Sequence, residues 1–170
     1  LVLKDPRICR LYPYWDKVLR QAGYAPITLL PLRHPAEVTA SLMHRNGLPA
    51  EGAVRLWLRH VLDAEKFSRN HGRLWIVWPD FLTEWRTQLA KLEDLASSDL
   101  PLRDPVVVNQ INTFLSPELQ HHRHGVNVGP SSLDLQVFET LTRLAREGET
   151  EARLNEIDRH RQRFEEESGA

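Results

Sequence analysis

The chain has 170 residues, a formal net charge of −1, a charged fraction of 26% and a single cysteine, Cys9. That length suits one domain of ordinary size, and the near-neutral balance gives no bulk electrostatic drive toward nucleic acid or a membrane surface. One cysteine excludes an intrachain disulfide and a cysteine-based zinc site, and neither an apolar run long enough for a membrane span nor a signal-peptide pattern occurs. A reducing, cytoplasmic setting is the expectation.

In chain order, the apolar residues 1–3 followed by Lys4-Asp5-Pro6-Arg7 read as the end of a strand and a charged turn. A helix is predicted over 8–22, with Ile8, Leu11, Trp15, Val18 and Leu19 at helical spacing, an interruption at Pro13 and a stop at Gly23. A buried parallel strand is predicted from Ile27 to Leu32, with Arg33 at its carboxyl end. Pro35 suits the first turn of the next helix and Glu37 favours its dipole. The loop at Asn46-Gly47-Leu48-Pro49 leads to a long helix over 50–70, whose apolar stripe includes Trp57, Leu58 and Leu62. Its arginines, Arg69 among them, read as a solvated face.

A third strand is predicted over 73–78, then a helix opening at Pro79-Asp80 with Phe81, Leu82, Trp85, Leu89 and Leu92 on one side. Residues 96–105 read as a loop and 106–115 as a short helix. The polar cluster at 120–125 holds three histidines, but His121 and His122 would point to different faces and no carboxylate lies near in sequence, which speaks against a metal site. Ser131-Ser132-Leu133-Asp134 reads as a capping box before a helix with Leu135, Phe138, Leu141 and Leu144 on one face. From residue 149 onward Glu and Arg dominate, and Leu154, Ile157 and Phe164 look too sparse for a core stripe. That end is expected to be a solvated helix or a linker.

Two stretches carry a resemblance. Arg33-x-Pro35-x5-Ser41 resembles the 3′-phosphate-binding motif of the sulfotransferases that use 3′-phosphoadenosine 5′-phosphosulfate (PAPS). Lys4-Asp5-Pro6 after a strand is similar to the segment of that family whose lysine approaches the transferring sulfuryl group. With Trp15 and the run Arg33-His34-Pro35-x-Glu37-Val38, the chain looks most like bacterial sulfotransferase-like proteins, over roughly residues 1–125. The resemblance implies an in-line transfer of a sulfuryl group from PAPS to a hydroxyl or amine, on a carbohydrate or glycolipid for example, without a metal ion. It assigns Lys4 to catalysis and Arg33 and Ser41 to the donor's 3′-phosphate. A guanidinium fork and a hydroxyl suit phosphate oxygens. Trp78, in Trp78-Pro79-Asp80-Phe81-Leu82, is similar to an aromatic position near the adenine, although a tryptophan at a strand end is more often core, the reading its residue type favours. Arg123, before Gly125, stands where the family has a late basic loop at the donor. The catalytic base is unassigned: Pro6 occupies the position of a familiar histidine, and Asp5 is a weak substitute.

The implied fold class is α/β, a parallel sheet flanked by helices, as part of a sulfotransferase domain of the P-loop-containing nucleoside triphosphate hydrolase-like superfamily. Residues 1–130 would be the C-terminal portion of that domain and 131–170 a charged helical extension or linker. No glycine-rich phosphate loop occurs in the sequence, and it opens inside a predicted strand without methionine, so a piece of a longer protein, inactive by itself and with further fused domains, is expected. Two rivals stay open: another P-loop-type kinase, which would require Mg²⁺, and a non-catalytic partial domain that serves as an interaction surface.

Overall fold

Two short strands and the helices around them define the fold in the computed structural model, which describes residues 1–115 and 132–169. The elements in order are α1 (Ile8–Gln21), β1 (Thr28–Leu32), α2 (Pro35–Asn46), α3 (Ala50–Ser68), β2 (Arg73–Val77), α4 (Trp78–Ala96), α5 (Pro105–Phe114), α6 (Leu133–Glu147) and α7 (Glu151–Ser168). The architecture is α/β but mostly helical: β1 and β2 pair in parallel, Thr28 opposite Arg73 and Leu32 opposite Val77, and form the sheet by themselves among the described residues. The predicted strand boundaries at 27–32 and 73–78 hold to within one residue, because short Ile, Leu and Val runs closed by Arg-His-Pro and Trp-Pro leave little choice of ends.

The core lies on one face of this sheet. Leu30, Leu32, Trp75 and Val77 pack with Trp57, Leu58 and Leu62 of α3, Val137, Leu141 and Leu144 of α6, and Ile157 and Phe164 of α7. The opposite face is poorly covered at β1, where Leu29 and Pro31 are exposed. Residues 1–3, expected as the end of a strand, adopt no regular structure, and Leu1 and Val2 are 83% and 91% exposed. Among the described residues no ladder partner reaches them, and an isolated extended segment cannot satisfy its backbone groups except with water.

Helix α1 runs through Pro13 without a break, and Gly23 follows it at φ +83°, a conformation that favours glycine. Its predicted stripe is only half covered: Tyr12 is the buried residue, its hydroxyl accepting from Thr28 Oγ1 at 2.9 Å, while Leu11 stays exposed. Helix α4 contains a kink at Glu84 (φ −131°, ψ 36°). Thr83 Oγ1 donates back to the carbonyls of Pro79 and Asp80, a side-chain competition that bends helices. The capping box is not made: Ser132 is the N-cap of α6, yet its hydroxyl is buried and makes no cap bond.

The largest departure from expectation is the carboxyl-terminal helix. Ile157 and Phe164 are buried in the same core as the strands, and a buried charge network fastens α7 to α3 and β2. Glu65 of α3 is fully enclosed at 0% exposure and accepts both nitrogens of the Arg69 fork at 2.9 and 2.8 Å. Arg69 in turn grips Asp158 at 2.8 Å through two bonds. Arg73, with its side chain 3% exposed, reaches Glu65 at 3.4 Å and Glu149 at 2.6 Å. Arg161 also pairs with both Glu65 and Asp158. Arg69 is therefore not a solvated residue, because Asp158, from a helix more than eighty positions away, closes on it beside Glu65 of its own helix.

Candidate functional site

The carboxyl ends of β1 and β2 lie side by side through the Leu32–Val77 pairing, so the residues that follow each strand are neighbours. Arg33 follows β1 and Trp78 opens α4 after β2, and the Arg33 guanidinium lies over the Trp78 ring, 5.5 Å from its centroid. Trp78 is itself stacked on Phe81 at 6.0 Å and 23°. The geometry thus joins two of the residues singled out in the sequence.

Arg33 is half-exposed and pairs with Glu37 one turn into α2, Nη2 to Oε2 at 3.2 Å. Among the described residues, two donors at this junction are buried without a partner: Arg33 Nε and the Trp78 indole nitrogen. Unpaired buried donors are uncommon and cost roughly 1–3 kcal/mol each, so their coincidence at one strand end marks a place where an acceptor is missing. Ser41 lies one turn beyond Glu37 on the same helix face, about 6 Å further along the axis, and is partly exposed.

His34 places this group. It is the N-cap of α2, its Nδ1 accepting from the Ala36 N–H at 3.2 Å, and its ring meets Phe138 of α6 edge-on at 5.0 Å. Pro35 in the first turn completes a start that turns the chain sharply after Arg33. The sequence showed Arg-His-Pro as a unit but gave no sign that the histidine is the cap. His34→Ala should lower stability by about 0.5–2 kcal/mol while His34→Asn retains most of it, checked by urea unfolding.

Lys4 stands elsewhere. It is exposed, on the irregular segment before α1, and lines a groove of about 290 Å³ with Leu3, Arg7, Leu11 and Trp15. Among the described residues, no hydrogen bond, ion pair or ring contact joins Lys4 to Arg33, Ser41 or Trp78. Asp5, the weak candidate for a base, accepts from the backbone N–H of Arg7 at 2.8 Å and from its guanidinium at 3.0 and 2.7 Å. The Arg7 fork holds its carboxyl down at about 2, which suits a turn residue and not a proton acceptor near neutrality. Arg123 and the histidine cluster around it lie outside the described residues.

Among the described residues, no group of three or more His, Cys, Asp or Glu side chains is arranged to hold a metal ion, and no helix is long and apolar enough to cross a membrane. Comparison with known proteins found no matching family model, no matching curated protein and no matching solved structure. The site has to be read from its own geometry, an arginine fork stacked on an indole at the carboxyl ends of two parallel strands.

Proposed function

We propose that the chain carries part of the nucleotide-donor site of a PAPS-dependent sulfotransferase, within a partial P-loop-type domain. The observation behind this reading is the junction of Arg33 and Trp78, with its two unpaired donors, at the strand ends where open parallel α/β sheets bind their ligands. In this reading Arg33 and Ser41 hold the 3′-phosphate of PAPS, Arg33 exchanging part of its contact with Glu37 for phosphate oxygens. Trp78 offers a flat apolar surface to the adenine. Lys4 would meet charge developing on the leaving oxygen once the segment before α1 is ordered against a complete sheet, and Arg123 would join the donor from the late basic loop. The acceptor would be a small molecule or glycan bearing a hydroxyl or amine.

The thin sheet fits the same reading. Parallel sheets are normally buried on both faces, whereas Leu29 and Pro31 are exposed here and residues 1–3 present apolar side chains to water. A further strand carrying a phosphate-binding loop, placed against β1, would widen the sheet so that further helices could close over its open face. That strand would pair with one bond fewer than usual, since Pro31 has no N–H.

Arg33→Ala should weaken binding of adenosine 3′,5′-bisphosphate by roughly 1.5–3 kcal/mol, the worth of a hydrogen bond to a charged group, and barely change that of adenosine 5′-phosphosulfate, which lacks the 3′-phosphate. Ser41→Ala should show the same selectivity with a loss near 1 kcal/mol. Calorimetric titration of both nucleotides against the three proteins decides it. Equal losses for the two ligands would remove Arg33 from the 3′-phosphate and leave the sulfotransferase reading without its main residue.

A further inference from the structure

The pairing of Arg33 with Glu37 is poorer than the same residue types achieve elsewhere in the chain. A guanidinium presents Nε and one Nη as a parallel fork, and an anion that fits takes both at about 2.7–2.9 Å. Arg146 takes Asp80 through Nε and Nη2 at 2.8 Å each, and Arg7 takes Asp5 through the same two atoms at 3.0 and 2.7 Å. Glu37 meets Arg33 at Nη2, at 3.2 Å, and among the described residues the buried Nε beside it has no partner. The fork is half used.

The two side chains are held from different directions. Glu37 belongs to the first turn of α2, whereas the Arg33 guanidinium lies against the Trp78 ring, 5.5 Å from its centroid. The Glu37 side chain is 18% exposed against 37% for Arg33, so the carboxylate is the more enclosed partner. A phosphate that arrives at the fork meets a carboxylate that must swing away or stand beside it at a like-charge cost.

We propose that Glu37 is a built-in competitor for the Arg33 fork. It steadies Arg33 over Trp78 until a phosphate takes both nitrogens, and its displacement then lowers the affinity for that phosphate. The donor and its product, adenosine 3′,5′-bisphosphate, both carry the 3′-phosphate, so Glu37 weakens both and favours product release. The inference rests on the reading of Arg33 as the 3′-phosphate residue. A positioning role alone predicts the opposite sign, since an arginine without its holder would bind worse.

The test is calorimetric titration of adenosine 3′,5′-bisphosphate and adenosine 5′-phosphosulfate into the wild-type chain and four variants. Glu37→Gln keeps the side-chain length and removes the charge. It should tighten the bisphosphate about threefold to tenfold and leave the phosphosulfate within about twofold. Glu167→Gln neutralises the corresponding residue of the exposed pair Arg163–Glu167 on α7 and should leave both ligands within about twofold. In the Arg33→Ala background the gain from Glu37→Gln should shrink below about twofold, because no fork is left to compete for. The inference is overturned, with the sulfotransferase reading left standing, if Arg33→Ala stays selective for the 3′-phosphate while Glu37→Gln weakens the bisphosphate or leaves it unchanged. A gain that Glu167→Gln or the Arg33→Ala background reproduces overturns it equally. It falls together with that reading if Arg33→Ala costs both nucleotides the same, or if the bisphosphate does not bind.

Discussion

Glu65→Leu should cost about 3–5 kcal/mol of folding stability, the usual result of breaking a buried ion pair and leaving its partner charges uncompensated. Among the described residues, Glu65 is the one carboxylate that Arg69, Arg73 and Arg161 share, and it has no exposure through which water could replace it. Removing it leaves Asp158 and Glu149 at the rim to balance three guanidinium groups. Urea unfolding should show the loss as a lower midpoint. Arg161→Met in the same background should restore part of the stability, because it removes a stranded charge, so the double variant should be less damaged than the sum of the two. Full additivity would mean that the contacts of Glu65 and Arg161 are energetically independent. The network also sets an acid limit. Hydrogen bonds from Arg69 depress the Asp158 pKa, so its contribution is complete above the unfolded carboxylate value of about 3.9 and is lost as pH falls through the lower folded value. Stability should hold steady above about pH 5 and decline below about pH 4, and Asp158→Asn should flatten that decline.

Ile157→Ala should cost about 2–5 kcal/mol, the range for a large aliphatic side chain removed from a closed core. Ile157 is fully buried among residues of α3, α6 and the sheet face. If α7 were an appended linker the substitution would cost almost nothing, so the measurement separates a helix that completes the core from one that decorates it. Hydrogen exchange adds a local readout: weakening α7 should expose amides of α6 as well, since the two helices pack against each other. Unchanged protection in α6 would show that it is held by the sheet alone.

The α7 misreading has a specific physical origin. Its buried face runs Leu154, Ile157, Arg161, Phe164, at steps of three, four and three. A stripe of that spacing is recognised by hydrophobicity, and the arginine at its centre breaks the pattern. Only the tertiary structure supplies the buried Glu65 that makes an arginine acceptable there. Arg69 fails for the same reason in the other direction: on its own helix it looks solvated, and Asp158 arrives from distant sequence.

What the chain determines locally is clear in both strands and in α2 to α4. Short Ile, Leu and Val runs ended by Arg-His-Pro and Trp-Pro, apolar stripes at helical spacing and glycines past helix ends are decisions taken within a few residues, so they are legible without a fold. The apolar residues 1–3 are strand-like by the same standard, yet a strand exists only with a partner, and none pairs with them among the described residues. The candidate site divides in the same way. Arg33, Ser41 and Trp78 were visible as residue types at strand and helix ends, but their relation was not. Arg33 meets Trp78 because β1 and β2 pair in parallel with Leu32 opposite Val77, a contact between residues 45 positions apart that no local pattern encodes.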